Sequence, residues 1–166
     1  MTEGISPVKM LISDENEENR MKTYELIAPC HFGLESVLKR EIQDLGYDVT
    51  QVEDGKVTFV ADADGIARAN VFLRTAERVL IKVGKFKAET FDELFENTKA
   101  LPWEEFLPQD GKFWVAKAAS IKSKLFSPSD IQSIMKKAIV ERMKQVYKVS
   151  WCPETGAEYP LRVTLM

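Results

Sequence analysis

The chain of 166 residues is poor in the residue types that build metal, disulfide or covalent catalytic sites. It contains two cysteines, Cys30 and Cys152, and one histidine, His31. Two Cys and one His cannot close a four-ligand zinc site without a carboxylate, and the cysteines lie far apart with no CxxC spacing. This usage fits a reducing compartment better than a disulfide framework. No bound metal is expected.

Long hydrophobic runs and glycine-rich loops are also missing. No apolar run approaches the roughly 18 residues that span a bilayer, so a cytoplasmic protein is expected. The eight glycines are scattered and form neither GxGxxG nor a P-loop. Cys30 and His31 are neighbours in sequence, which is a poor geometry for a nucleophile and its base. The chain is therefore expected to hold no cofactor and not to be an enzyme by itself.

Residues 1–21 are rich in Asp, Glu and Asn and end at a second methionine, Met21. Such a composition buries too little apolar surface to fold, so we expect a disordered leader here. The sequence leaves open whether Met1 or Met21 is the natural start.

The next segment opens with strand and helix patterns. Residues 23–29 are rich in strand formers, and an amphipathic helical pattern follows that stops at Gly46. Two short strands of alternating polarity then meet at Asp54 and Gly55, a pair typical of hairpin turns. This part of the chain predicts a strand, a helix and a hairpin.

A second helix and strand complete the pattern. Asp62 is placed to cap the helix, and residues 77–88 predict a strand. Three apolar residues of this strand are expected on one face: Val79, Ile81 and Val83. The order over residues 22–88 is thus β-α-β-β-α-β, the ferredoxin-like arrangement of an antiparallel sheet with two helices on one face.

Residues 89–166 predict a second, α/β unit. Thr90 and Glu93 have the spacing of a capping box at the start of a helix that Pro102 ends. A strand "GKFWVAKAAS", a helix over residues 128–147 and a final strand "EYPLRVTLM" follow. The whole chain is therefore expected to be an α+β protein of two domains.

Charge is distributed unevenly along the chain. Residues 1–109 contain 13 Lys/Arg and 21 Asp/Glu, whereas residues 110–166 contain 10 and 5, although the whole chain has a net charge of -3. The carboxyl-terminal third is therefore where a polyanion would bind.

The helix over residues 128–147 has a well-specified start. Ser127 is placed as its N-cap and Pro128 as its first residue. Six apolar residues share one broad face: Ile131, Ile134, Met135, Ala138, Ile139 and Val146. Arg142 falls on the same face, where it is expected to snorkel, to pair with Glu104 or Glu105, or to mark where the helix leaves its core.

The opposite side of this helix carries a polar stripe, made of Ser133, Lys137, Lys144 and Lys148. Such a stripe is either a track for phosphates or an ordinary solvated face. Further lysines precede the helix, and we expect them to converge on the same region: Lys117, Lys122 and Lys124. Phe113, Trp114 and Phe126 could stack on unpaired bases, although Phe113 and Trp114 point to opposite sides of a strand, so one of them belongs to the core.

Three long stretches resemble a known family. They are "APCHFGLESVLKREIQDLGY", "ADGIARANVFLRTAERVLIKVGKFKAETFDELFENTKALPWEEFLP" and "SIKSKLFSPSDIQSIMKKAIVERM". Together they resemble the amino-terminal region of bacterial THUMP-containing RNA methyltransferases, of the large-subunit rRNA guanine-N2 methyltransferase group, also described as N6-adenine-specific DNA methylase-like.

The resemblance implies a ferredoxin-like domain followed by a THUMP domain that binds structured RNA, notably large-subunit rRNA. It also implies a covalently linked catalytic domain that uses S-adenosylmethionine and an Asn-Pro-Pro-Tyr-type motif, which this sequence does not contain. The chain is accordingly expected to be a fragment that stops before a further strand of the THUMP sheet. The strand edge so exposed would favour self-association.

These considerations predict an RNA-binding module of a methyltransferase. The expected RNA contacts are Lys117, Lys122, Ser123, Lys124, Ser127, Lys137 and Lys144. The alternative is a protein-interaction or dimerisation module in which the basic residues have no RNA role.

Overall fold

The computed structural model describes residues 22–120 and 123–165. The chain divides into two compact units, and the boundary falls between Lys82 and Val83. The predicted disordered leader, residues 1–21, lies outside the described residues.

The first unit has the predicted order of elements. They are β1 at Tyr24–Pro29, α1 at Glu35–Asp44, β2 at Asp48–Glu53, β3 at Lys56–Ala61, α2 at Ala63–Phe72 and β4 at Leu80–Ile81. The sheet order is β2-β3-β1-β4, and each neighbouring pair is antiparallel. Because β3 lies between β1 and β2, this is the split βαβ arrangement, and the ferredoxin-like prediction is confirmed.

Both helices of this unit pack on one hydrophobic cluster. Leu26 of β1 and Phe59 of β3 are fully buried in it, together with Leu38 and Ile42 of α1. Ala69 contributes the contact from α2. The apolar residues that recur every three or four positions along α1 therefore form the face that covers the sheet.

The hairpin between β2 and β3 turns at Gly55, as predicted. Its φ of +74° is the left-handed conformation that glycine adopts without a steric penalty. The Glu35 carboxylate fixes the turn, because it accepts hydrogen bonds from the N–H of Gly55 and of Gly33, each at 2.8 Å. These bonds, led by the one from Gly55, lower the pKa of Glu35. The first residue of α1 is thus tied to a turn twenty positions away.

The prediction of a strand over residues 77–88 was wrong in extent. The strand comprises only Leu80 and Ile81, although the flanking N–H groups of Glu77 and Lys82 also donate to carbonyls of β1. Ile81 is exposed rather than directed into the core. The alternating apolar residues of this segment pack in two different cores, Val79 in that of the first unit and Val83 in that of the second. The predicted domain limits, 22–88 and 89–166, stay a prediction.

The second unit is built around a parallel strand pair. Its elements are α3 at Phe91–Ala100, a 3₁₀ turn at Trp103–Glu105, β5 at Lys112–Ser120, α4 at Pro128–Tyr147 and β6 at Glu158–Leu165. β5 and β6 are parallel neighbours, and α4 connects them. Parallel strands need such a crossover, so the predicted α/β unit is confirmed.

The two apolar clusters of this unit lie along α4. One contains Trp103, Phe113, Ile139 and Met143, and the other contains residues of α3, β5 and the amino-terminal half of α4. The Trp103 indole also donates a hydrogen bond to the carbonyl of Thr98 at 2.7 Å, so its polar atom is satisfied inside the core.

The apolar face of α4 differs from the predicted one at its carboxyl end. Its buried residues are Ile131, Met135, Ala138, Ile139 and Met143. Val146 is instead 37% exposed. Arg142 forms a two-point ion pair with Glu104, whose Oε2 accepts from Nε at 3.0 Å and whose Oε1 accepts from an NH2 group. Of the three expectations for Arg142, the pairing is the one observed.

The caps of the helices follow their sequences with two differences. Asp62 accepts from Gly65 N–H at 2.7 Å, and Thr90 accepts from Glu93 N–H at 3.1 Å, as predicted. The Glu93 carboxylate, however, accepts from the N–H of Glu89, one residue before the cap. Ser127 occupies the N-cap of α4, but its hydroxyl makes no cap hydrogen bond. The start of α4 therefore depends on Pro128 more than on Ser127.

Candidate nucleic-acid interface

The predicted RNA-binding residues belong to three settings in the second unit. Lys124, Ser123 and Ser127 lie in the loop before α4, and Lys137 and Lys144 lie on α4. Lys117 lies on β5, and Lys122 lies outside the described residues.

Lys124 is exposed but already paired. Its ammonium donates to the Glu89 carboxylate, which also binds Lys87 at 2.8 Å. The two lysines, Lys124 foremost, lower the pKa of Glu89 from 4.5 to about 2. A phosphate that binds Lys124 must therefore displace or join this carboxylate.

The serines of the loop have different partners. Ser123 Oγ accepts from the N–H of Leu125 at 3.2 Å, and Ser127 Oγ lies 3.3 Å from Ser129 Oγ. Leu125 is buried, whereas the adjacent Phe126 is 81% exposed. Ser123 therefore helps to fix the loop, and the same loop presents Phe126 to solvent.

The α4 lysines lie on the polar side of that helix. Lys137 is exposed, and its ammonium lies 6.0 Å from the ring centroid of Phe95 on α3. Lys144 is half-buried in the last turn of the helix. Neither ammonium has a carboxylate partner within the described ranges. Both charges are available to a ligand.

Lys117 lies on the other side of the second unit. Around it, Val115 and Ala118 pack on the core, so Lys117 points to the sheet face away from α4. The expected convergence of Lys117 with the α4 lysines is therefore wrong, because the sheet separates them. No carboxylate pairs with Lys117 in the part of the chain that the structure describes.

Arg162 is a basic residue that the sequence prediction missed. It lies directly opposite Lys117 in the register of β5 and β6, and both side chains are exposed. The register shifts between Val115 and Lys117, which places Ala116 as an extra residue in β5. The alternation of "LRVTL" would have shown that Arg162 faces solvent, but only the pairing shows its neighbour.

The aromatic residues divide as expected. Phe113 is 2% exposed and belongs to the core, whereas Trp114 is 37% exposed on the opposite face of β5. The Lys136 ammonium lies 3.8 Å from the ring centroid of Phe113 and donates to the Phe113 carbonyl and to Glu154. Lys136 is therefore a structural residue rather than a free cation.

The surroundings of Cys30 in the first unit disfavour its thiolate form. Cys30 is buried, and its burial, with the nearby Glu35 and Glu77 carboxylates, raises the pKa of the thiol. A nucleophilic cysteine needs the opposite shift of its pKa.

Residues 22–120 and 123–165 contain no cluster of three metal-ligating side chains. None of the helices in those ranges is long and apolar enough to cross a membrane.

Comparison with protein families matches both units. Residues 25–80 match the RlmL ferredoxin-like domain, and residues 88–166 match the THUMP domain. The chain is therefore a two-domain protein of the ferredoxin-like and THUMP class. In chain order, a match to the RlmL ferredoxin-like domain precedes a match to the THUMP domain.

Known relatives are longer than this chain. It is 51% identical over 148 residues to the Bacillus subtilis protein named "Putative RNA methyltransferase YpsC", covering 88% of this chain and 38% of that protein. It is 29% identical over 93 residues to the ribosomal RNA large subunit methyltransferase K/L of Marinomonas sp., covering 56% of this chain and 13% of that enzyme.

Solved structures give the same relation. A predicted N6-adenine-specific DNA methylase from Listeria monocytogenes is 50% identical with a TM-score of 0.85, over 90% of this chain and 39% of that one. The structure described as "SMU.472, a putative methyltransferase complexed with SAH" is 43% identical with a TM-score of 0.84, over 87% of this chain and 39% of that one. The chain thus spans less than two fifths of these relatives.

Proposed function

We propose that this chain is the RNA-binding part of a cytoplasmic rRNA methyltransferase and that it positions structured RNA for a covalently linked catalytic domain. The observation that carries the proposal is the THUMP domain over residues 88–166, in a chain whose relatives include rRNA methyltransferases. The basic balance of residues 110–166 supports it, because phosphate contacts dominate RNA affinity.

The same relatives support a methyltransferase as the parent enzyme, and we propose S-adenosylmethionine as its methyl donor and guanine N2 as the acceptor. The sequence between β5 and α4, residues 121–127, contains no glycine, and the chain has no glycine-rich motif of the kind that cradles nucleotide cofactors. We therefore propose that S-adenosylmethionine binds the linked catalytic domain and not this chain. Calorimetry of the chain with S-adenosylmethionine should show no binding. Micromolar binding would mean that this chain itself contains a cofactor site, which would contradict the proposal.

The RNA contacts we propose are the predicted set, led by the cations that can reach solvent. Lys137 and Lys144 are available on α4, Lys117 is available on β5, and Lys124 becomes available by leaving Glu89. Ser123, Ser127 and Lys122 are proposed as secondary contacts.

The test is binding of the chain to fragments of large-subunit rRNA at several KCl concentrations, followed by fluorescence anisotropy. Removing one lysine that binds a phosphate should reduce the salt slope by about one. The variant K124E/K137E/K144E should therefore bind far more weakly, with a slope smaller by about 3. Salt-independent binding, or a triple variant equal to the parent chain, contradicts the proposal.

A matched control comes from the first unit. Lys39, Arg40 and Arg78 are exposed, and changing them to Glu alters the net charge by the same amount. If this control loses as much affinity as the α4 and loop variant, the binding reflects net charge and not the proposed surface.

Self-association is a second candidate role, supported by the outer edge of β6. Among the described strands, β6 pairs with β5 alone, so one of its edges has no strand partner. Such edges can pair with another copy, although Pro160 removes one donor from this strand. Light scattering with and without RNA separates the roles, because a stable dimer that is indifferent to RNA favours the interaction module.

A further inference from the structure

Among the described residues, none forms a layer over one face of the sheet of the second unit. We define the outer face as the side of β5 and β6 that points away from α4, represented by Trp114, Lys117, Pro160 and Arg162. Along β6 the residues alternate strictly, and Pro160 and Arg162 are exposed while Leu161 packs on the core. The outer face is therefore a separate surface from the lysines of α4.

The charges of the outer face are matched at one end and unmatched at the other. Lys112 stands opposite Glu158, and their side chains form an ion pair at 2.9 Å. Lys117 stands opposite Arg162, and neither has a carboxylate partner among the described residues. Like charges directly opposite each other destabilise a sheet, so this pair has a cost that a bound anion would offset.

An exposed indole lies next to this cationic pair. Trp114 stands opposite Pro160, two positions before Arg162 on β6, which is a separation of about 7 Å along the strand. The Lys112 ammonium lies 5.9 Å from the Trp114 ring centroid. Trp114 remains 37% exposed. A flat aromatic surface and two neighbouring cations thus share one open sheet face.

We propose that the outer face binds an unpaired segment of RNA, with one base stacked on Trp114 and the adjoining phosphates on Lys117 and Arg162. This rests on the proposed RNA-binding function and specifies its substrate class. Bases in a duplex are already stacked and cannot reach an indole, whereas unpaired bases stack on aromatic side chains of open sheets. An acidic peptide would use the two cations but would gain nothing from stacking on Trp114.

The test compares two RNA probes of equal length with the whole chain, a U-rich single strand and a blunt duplex. Stacking on one aromatic residue is worth a loss of about 5-fold or more on replacement by alanine. Trp114→Ala should lose at least that for the single strand and little for the duplex, with an unchanged salt slope. Trp114→Phe, which keeps an aromatic face, should retain most of the affinity.

Replacing the two cations should reduce the salt slope, which Trp114→Ala leaves unchanged. The variant K117A/R162A removes two phosphate contacts and should lower the single-strand salt slope by about 1.4. Trp151→Ala is the matched control, because Trp151 is 74% exposed in the same unit but lies outside the outer face. It should bind like the parent chain.

The outcomes separate this inference from the proposed function. If the chain binds neither probe nor any rRNA fragment, the proposed function itself fails. If it binds rRNA but Trp114→Ala matches the parent chain, or the duplex is preferred, the stacking site is wrong and the RNA-binding role stands. An acidic peptide that competes with the single strand, with equal loss for Trp114→Phe and Trp114→Ala, would assign the outer face to a protein partner.

Discussion

Glu89 and Lys124 are ion-paired in the second unit, although they are 35 positions apart in sequence. Lys87 binds the other oxygen of the same carboxylate at 2.8 Å. One carboxylate thus pairs with two lysines beside the loop that leads into α4, and it competes with any phosphate that Lys124 would contact.

Replacing Glu89 by Gln should tighten RNA binding, because it releases Lys124 and Lys87 without changing the size of the side chain. We expect a several-fold gain at low salt and a steeper salt slope in the anisotropy assay. Glu96→Gln is the control, since Glu96 is an exposed acid on α3 and its loss changes the net charge equally. Equal gains for both variants would show that net charge matters and the release of Lys124 does not.

The same carboxylate predicts a pH dependence of stability. The hydrogen bond from Lys124, followed by that from Lys87, lowers the pKa of Glu89 to about 2 in the folded chain, against an ordinary value of 4.5. A lowered pKa means that the pairing stabilises the fold above pH 4.5 and is lost as the pH falls from 4.5 toward 2. The Tm difference between the parent chain and Glu89→Gln should therefore shrink from pH 6 to pH 3. A constant difference would contradict the pairing.

The Arg142–Glu104 pair should stabilise the second unit. Both side chains are less than one third exposed, at 29% and 24%. The hydrogen bond from Arg142 is the main reason that the pKa of Glu104 is lowered. Glu104→Ala and Arg142→Ala should each lower the free energy of unfolding, measured in urea, by about 1–3 kcal/mol. This lies between the values typical of exposed and buried ion pairs.

A double-mutant cycle checks whether that cost belongs to the pair. If the pairing carries it, the double variant should cost less than the two single costs added together. Arg142→Met keeps the apolar stem, so it separates lost packing from lost charge. Additive costs would mean that the two residues act independently.

Glu41 holds the segment that follows α2 in the first unit. Its Oε2 accepts from Thr75 Oγ1 at 2.9 Å and from the N–H groups of Arg74 and Thr75 at 3.2 Å each. Burial alone would raise the pKa of this carboxyl, but the bonds from Thr75 and Arg74 together lower it. Glu41→Gln should cost about 1–2 kcal/mol at pH 7, because an amide is a weaker acceptor than a carboxylate.

The cost of Glu41→Gln should diminish as the pH falls below the ordinary range of a carboxyl group. A group with a lowered folded pKa contributes stability at higher pH and loses it on protonation. Asp44→Asn on the same helix is the control, because Asp44 is exposed. If both variants cost the same at pH 7, the hydrogen bonds of Glu41 are not the cause.

The order of elements could be predicted from the sequence because its signals are local. Helix periodicity, the Asp62 cap and the turn at Gly55 each act within a few residues, and each is present in the structure. The prediction of one long strand over residues 77–88 failed for a non-local reason, since the apolar side chains of this segment pack in the cores of two different units.

The candidate site was harder to predict because charge neutralisation acts over long sequence distances. The sequence shows Lys124 as a cation in a basic segment, but it does not show that Glu89 lies within bonding distance. The pair of Lys117 and Arg162 depends on the register of two strands and on the extra residue at Ala116. Composition identified the basic third of the chain, whereas tertiary contacts decide which of its cations are free.

Gly65 tests whether packing outweighs helix propensity at the start of α2. An alanine here would suit the helix, but its Cβ would lie 2.5 Å from Ala61 Cβ and 3.0 Å from the Tyr47 ring. Gly65→Ala should therefore destabilise the first unit by about 1–3 kcal/mol through overpacking. Ala67→Gly, at an exposed position of the same helix, measures the propensity effect alone and should cost about 1 kcal/mol. Urea unfolding that finds Gly65→Ala more stable than the parent chain would show that β3 and α2 are not in such close contact.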